Sequence, residues 1–178
     1  MIIAEEKRKT NIVEYILYMY QIEDLIRANS FDMQRIETNI ISKFSIVEDI
    51  RNNMRLWYWD MIEKMKAEKK LQTGHLSFIL AIIEELNELH LDILTRGDDN
   101  KYNEQYRWAK NNIIALREKI PENQKMNDIE ICLNGLYGYL LLKLKNKDIT
   151  VETTEAISTF SNMLGLLSLR YKEKKSSP

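Results

Sequence analysis

Apolar residues recur every three or four positions in the middle of the chain, and this pattern constrains the fold more than any other feature. Residues at that spacing fall on one face of an α-helix, which must then be buried against other elements. Ser45 and Glu48 have the spacing of a capping box, so the helix is predicted to open there. The stripe extends over five turns: Val47, Ile50, Met54, Trp57, Met61 and Met65.

The segment from Leu76 to Leu94 is the second long apolar stretch. Its first half contains an uninterrupted apolar run, Phe78–Ile83, which is typical of a helix buried on all sides. Its second half alternates an apolar stripe with acidic residues, Glu84, Glu85, Glu88 and Asp92. We expect this segment to be the central helix against which the others pack.

The rest of the chain follows the same helical spacing. Further helices are predicted at about residues 11–27, 33–44, 106–120, 127–144 and 150–171. Only five Gly and two Pro are present, fewer than the frequent turns of an all-β fold require. The predicted fold is therefore all-α, without a sheet: a single domain over residues 1–178, built as an antiparallel bundle of six to seven helices. Residues 1–10 and 172–178 are expected to be frayed.

Charge and composition argue against several classes of protein. The net charge is −1 and the sequence pI is about 6.2, so no excess of basic residues attracts nucleic acid. No apolar run approaches the roughly 20 residues that span a bilayer, and the N-terminus lacks the apolar core of a signal peptide. A single cysteine is consistent with a reducing compartment. We expect a cytoplasmic protein with neither a nucleic-acid nor a membrane partner.

Signatures of metal binding and catalysis are not found. The two histidines, His75 and His90, occur in no Glu-x-x-His or His-Glu-x-x-His motif. Cys132 lies in an apolar stripe, where a thiol without a cationic neighbour behaves as an inert hydrophobe. No Gly-x-Ser-x-Gly, P-loop or dinucleotide motif occurs. The sequence therefore predicts no metal, cofactor or catalytic residue, and an enzyme is the least favoured class.

Two glycines, Gly135 and Gly138, fall one turn apart on a predicted helix, although Gly costs roughly 1 kcal/mol against Ala there. The favoured explanation is that another helix crosses closely at this notch. The alternative explanation is that a ligand approaches the backbone.

A polar cluster on the first predicted helix is the best candidate for a ligand site. Glu23 and Arg27 have the i, i+4 spacing of an ion pair. They are interpreted either as an exposed pair beside the core or as a partly buried polar network. In the second case they either fix a contact between helices or line a pocket. The pocket would lie between the first (11–27), fourth (from Leu76) and sixth (127–144) predicted helices, and Tyr15, Tyr18 and Tyr137 would also line it.

Two tryptophans lie off the predicted core faces. Successive helical residues turn by about 100°, so Trp59 points away from the stripe that contains Trp57, and it lies beside Arg55. Trp108 is flanked by polar residues one turn away. Either another helix of the same chain or a second subunit covers them, because aromatics are enriched at interfaces. We therefore assign Arg55, Trp59 and Trp108 to a candidate homodimer interface.

The stretch from Asn11 to Arg27, NIVEYILYMYQIEDLIR, resembles the opening of an uncharacterised family of Bacteroidetes bacteria, described only as a domain of unknown function. The resemblance extends along the whole chain and implies an all-helical protein. It implies no activity, cofactor or site residue. The favoured function is a non-enzymatic helical protein that acts by self-association or protein–protein interaction. The alternative is a small-ligand-binding or regulatory domain.

Overall fold

A computed structural model describes residues 2–121 and 124–176, apart from the side chain of Ile2. Within these residues the protein is all-helical and has no strand, which confirms the predicted fold class. Besides a short 3-10 helix at Ile41–Lys43, the α-helices are α1 (Ile2–Thr10), α2 (Ile12–Ala28), α3 (Met33–Asn39), α4 (Glu48–Ala67), α5 (Ser77–Arg96), α6 (Asn100–Arg117), α7 (Asp128–Leu144) and α8 (Val151–Ser176).

The described residues contain eight α-helices, whereas the sequence predicts six or seven. The additional helix is α1, in a segment that was expected to be frayed. Its first turn contains Glu5 and its last turn three basic residues, which is the charge order that the helix dipole favours. Ala4 is also buried, so packing stabilises the segment. At the other end, α8 continues to Ser176, beyond the predicted limit.

The chain forms two compact units, and α5 contributes residues to both, because the division falls between Leu80 and Ala81. Unit 1 contains α1 up to Lys9 and the stretch Glu14–Leu80. Its core comes from α2, α3, α4 and the start of α5, and its most deeply buried apolar side chains are Ile16, Met19, Ile22, Ile26, Ile36, Ile41, Ile62, Met65, Leu76 and Ile79.

Unit 2 contains residues 10–13 and everything described from Ala81 onward. Within it α8 packs against both α6 and α7. Gly135 of α7 lies against this contact: a Cβ there would be 3.0 Å from the Phe160 ring and 3.1 Å from Leu116. The expected close helix crossing is thus confirmed at Gly135, whereas a Cβ on Gly138 would meet nothing within 4 Å. The unit 2 core consists mainly of Ile83, Leu86, Leu89, Ile93, Tyr102, Ala109, Ile113, Ile129, Ile131, Cys132, Leu133, Phe160, Met163, Leu164 and Leu167.

The buried face of α4 is rotated from the predicted stripe. The predicted capping box at Ser45 is wrong: the helix begins at Glu48, and the preceding Val47 is exposed and provides no side-chain cap. Tyr58 is buried, while Trp57 is only half-buried. The core face consists of Met54, Tyr58, Met61, Ile62 and Met65, because tertiary packing selects the side that faces the other helices of unit 1.

The start of α5 also differs from the expectation. The run Phe78–Ile83 was expected to be buried on all sides, yet Leu80 and Ala81 are exposed. Leu76, Ile79 and Ile83 are buried, so the segment is amphipathic along its whole length. Other helix starts agree with the sequence: the side chain of Asn127 accepts the Glu130 N–H at 2.8 Å and that of Asp32 accepts the Gln34 N–H at 2.8 Å.

Candidate functional site

The polar cluster of α2 is centred on Glu23, whose side chain has no solvent exposure. Its Oε1 accepts the backbone N–H of Leu76 at 2.8 Å, and its Oε2 lies 2.6 Å from Nδ1 of His75. The predicted Glu23–Arg27 pair is therefore wrong, and the partly buried network is the correct alternative. Leu76 immediately precedes α5, so the carboxylate satisfies one of the backbone donors at that helix start.

The imidazole of His75 is held on two sides. Its ring stacks on the buried Tyr20 ring, with centroids 3.5 Å apart and planes 11° apart. Its Nδ1 edge faces the Glu23 carboxylate, yet 21% of the side chain remains exposed. A carboxylate that accepts from Nδ1 fixes the tautomer in which Nε2 carries the lone pair. No described residue forms a hydrogen bond with Nε2, so this nitrogen is the one left for an outside partner.

Arg27 ties the segment that precedes α5 to α2. Its guanidinium donates to the carbonyl oxygens of Lys70, at 3.3 Å, and Gly74, and it pairs with Asp24 at 2.9 Å. Gly74 has φ +83°, a conformation that suits glycine. The position of His75 is thus fixed in two ways: by the contacts of its own side chain and by the hydrogen bonds that Arg27 makes to the backbone of the preceding residues.

A cleft of about 530 Å³ lies elsewhere in unit 1. Tyr15 and Trp57 contribute aromatic walls, and the guanidinium of Arg8 lies 5.7 Å from the centre of the Tyr15 ring. Burial raises the pKa of Tyr15, against the opposing effects of Arg8 and Lys64. Lys64 pairs with Asp60 at 2.6 Å on the cleft wall, so the charged groups of both signs face the same space.

A second cleft of about 490 Å³ shares Trp57 and Glu5 with the first. It differs in its chemistry, because its lining is mostly apolar. The apolar lining consists of Ile3, Phe44, Ile46, Ile50 and Met54, with Trp57.

The residues predicted to bind a ligand do not line one of these clefts together. Tyr15 lines the larger cleft, whereas Glu23 and Arg27 belong to the His75 network. Tyr18 is half-buried in unit 1, where burial raises its pKa. Tyr137 is half-buried on α7 of unit 2.

A second polar cluster, in unit 2, was not identified from the sequence. His90 is buried, with Nδ1 2.7 Å from the Tyr102 hydroxyl and Nε2 3.9 Å from Asp128. The Tyr106 hydroxyl donates to Asp128 at 3.1 Å, and Arg117 pairs with the same carboxylate. These residues come from three helices without a common spacing, so no sequence motif could have revealed the cluster.

Burial governs the acid–base properties of this cluster. It lowers the pKa of His90, against a smaller opposing effect of Asp128. It raises the pKa of Tyr106 to about 12 and that of the Cys132 thiol well above its ordinary value. A neutral imidazole and a protonated thiol are the forms expected of a structural cluster, and a protonated thiol is a poor nucleophile.

The predicted interface residues differ in their surroundings. Trp59 is 57% exposed on α4 and Trp108 is 66% exposed on α6. Arg55 is engaged within unit 1, where it donates two hydrogen bonds to Glu37 at 2.8 and 2.9 Å and one to Glu48 at 2.6 Å.

Neither a metal-binding cluster nor a membrane-spanning helix occurs among the described residues. Within residues 2–121 and 124–176, no group of three or more His, Cys, Asp or Glu side chains is arranged to hold a metal ion. No helix in the described part of the chain combines the length and apolarity that crossing a membrane requires.

Comparison with known proteins gives one match. The model of the family described as Domain of unknown function (DUF4924) matches residues 1–177. No curated protein and no solved structure matches the chain. Because the match covers nearly the whole sequence, the chain belongs to the DUF4924 family.

Proposed function

We propose that this protein is a non-enzymatic helical protein that associates with a second copy of itself through one face of α4. The observation that supports this most directly is a pair of large apolar side chains one turn apart. Leu56 is 66% exposed and Trp59 is 57% exposed. Residues at i and i+3 share a helix face, so the two form one apolar patch on the side opposite the buried Tyr58.

The surroundings of the patch resemble the rim of an interface. Asp60 pairs with Lys64 at 2.6 Å and Glu63 with Lys66 at 3.1 Å, so the flanking charges are already balanced within the helix. An apolar centre with a polar rim is typical of protein interfaces. A charge-balanced patch can also face its own copy across a two-fold axis without repulsion. Since Arg55 is occupied within unit 1, the proposal depends on Leu56 and Trp59 rather than on Arg55.

The proposal includes the finer points of the architecture and location. We propose a single functional domain with the helices of each unit in an antiparallel, up-and-down arrangement, which short connections favour. We also propose a cytoplasmic location, supported by the buried, unpaired Cys132, and no nucleic-acid or membrane partner.

Sedimentation equilibrium over a wide range of protein concentration tests self-association. We expect a concentration-dependent dimer in the unsubstituted protein and a monomer in Trp59→Glu. Of the two predicted interface tryptophans the proposal keeps Trp59 and leaves out Trp108, whose neighbours one turn away are polar. Trp108→Glu is therefore the matched control, because Trp108 is at least as exposed as Trp59. A monomer at every concentration would contradict the proposal, and so would an equal effect of the two substitutions.

A small-ligand-binding domain is the second candidate function. Its support is the pair of adjoining clefts in unit 1, of about 530 and 490 Å³, which share Trp57 and join an apolar wall to a charged one. Ligand sites are commonly concave, mostly apolar and equipped with a few polar groups. Thermal-shift screening with a metabolite library tests this, with Tyr15→Ala as the variant that should lose the response.

A further inference from the structure

The two histidines of the chain are held in opposite ways. His90 is buried, and Tyr102 occupies its Nδ1 while Asp128 lies near its Nε2. His75 has its Nδ1 edge and one face of its ring turned into unit 1, and no described residue forms a hydrogen bond with its Nε2. One imidazole is therefore closed to reagents, and the other presents a lone pair at the surface.

The Glu23 carboxylate supports His75 as a nucleophile by accepting a hydrogen bond from its Nδ1–H. A carboxylate in this position stabilises the positive charge that develops on the ring when Nε2 forms a bond. The contact is short, 2.6 Å, and the carboxylate is shielded from water, which strengthens the interaction. Stacking on Tyr20 holds the ring in this orientation.

A cationic group lies close to the same segment. The ammonium of Lys70 would be 3.5 Å from a Cβ on Gly74, the residue before His75. The Lys70 ammonium forms no ion pair with any described residue, and the Arg27 guanidinium bonds only the backbone carbonyl oxygen of Lys70. An unneutralised ammonium close to the residue that precedes a nucleophile favours the approach of an anionic electrophile.

We propose that His75 is a phosphoryl-acceptor site, modified at Nε2 by an activated phosphoryl donor such as a phosphoramidate. The Nε2 lone pair attacks phosphorus and a phosphorus–nitrogen bond forms to the ring. The donor nitrogen is protonated, as –NH3+, so its bond to phosphorus breaks with the electron pair leaving on nitrogen as neutral ammonia. The Nδ1 proton stays on the ring, where the Glu23 carboxylate balances the positive charge of the imidazolium.

Phosphoramidate itself is the probe. The native protein and the same protein unfolded in urea are treated in parallel, and the modified residue is identified by peptide mass spectrometry and phosphorus NMR. We expect modification of His75 at Nε2 to be about tenfold faster in the folded protein than in the unfolded one, in line with the usual effect of a second-shell carboxylate. His90 serves as the internal control, and folding should protect it.

Two variants test the roles of the neighbours. Glu23→Gln removes the negative charge and should reduce the rate at His75 about tenfold. Lys70→Gln should reduce the rate without changing the unfolding midpoint, because the ammonium has no partner that stabilises the fold. His75 reacting no faster in the folded protein than in urea would overturn the proposal. That comparison needs no variant, so it holds even where Glu23→Gln fails to fold.

Discussion

The Glu23 carboxylate accepts the backbone N–H of Leu76 at 2.8 Å, although 53 residues separate the two in sequence. Both groups are buried, so neither has water as a replacement partner. The bond connects α2 to the start of α5 and also sets the position of His75, the residue between Gly74 and Leu76. A single fully buried carboxylate thus holds the start of α5 against α2.

Replacing Glu23 should strongly destabilise the protein. Glu23→Ala leaves the Leu76 N–H and the Nδ1–H of His75 without their acceptor, and we expect a loss of about 3 kcal/mol in the free energy of unfolding. Asp24→Ala is the matched control on the same helix, because its carboxylate is 45% exposed and its ion pair with Arg27 should contribute less than about 1 kcal/mol. Urea unfolding measures both values. Equal losses in the two variants would contradict the expectation that the buried carboxylate contributes more to the free energy of unfolding than the exposed one.

Stability should fall in mild acid because of His90. Burial holds its pKa in the folded protein below the ordinary value of 6.5, so the unfolded chain binds this proton more readily. The contribution is fully present above pH 6.5 and is lost progressively as the pH falls from 6.5 through the folded pKa. Urea unfolding at several pH values should show this slope, and His90→Gln should reduce it. An unchanged slope in the variant would assign the acid sensitivity to other groups.

The two glycines of α7 should respond in opposite directions to alanine. Gly138→Ala adds a Cβ that meets nothing within 4 Å, so the higher helix propensity of Ala should stabilise the protein by about 1 kcal/mol. Gly135→Ala places a Cβ 3.0 Å from the ring of the buried Phe160, and we expect this crowding to outweigh the gain in propensity. Thermal unfolding of the two variants gives the comparison. Equal stabilisation by both variants would mean that the Phe160 ring moves enough to accommodate the new methyl group.

Asp99 should stabilise unit 2 in its charged form. The hydrogen bond from Arg170, at 2.6 Å, and the Tyr102 N–H lower the pKa of this carboxyl, despite partial burial. Asp99 also caps α6, so Asp99→Ala should cost about 1 kcal/mol near neutral pH.

The pH dependence of this effect has a definite sign. Because the folded pKa of Asp99 is lowered, its contribution is present above the ordinary value of 3.8 and is lost as the pH falls through the folded pKa. The stability difference between Asp99→Ala and the unsubstituted protein should therefore shrink in strong acid. A difference that is independent of pH would exclude the ion pair with Arg170 as its source.

Local chemistry allowed most helices to be predicted. The predicted helix starts near residues 33 and 127 agree with the structure, where the side chains of Asp32 and Asn127 cap α3 and α7, because a cap acts over two or three residues. The close helix crossing at Gly135 was also predictable. Glycine lowers the stability of a helix interior, so its presence there indicates that a neighbouring element packs too closely for a larger side chain. Helix faces were less certain: the core face of α4 includes Tyr58 rather than Val47, because neighbouring helices decide which of two overlapping apolar stripes is buried.

The sequence by itself determined that this chain is helical, because the spacing of apolar side chains every three or four residues is a local property that any helix must satisfy. Only the tertiary structure decided which polar groups are buried and what they bind. Glu23 has a plausible partner at Arg27 one turn away, yet it binds His75 and Leu76. The partners of a buried carboxylate are the hydrogen-bond donors that folding places next to it, and these donors can be distant in sequence.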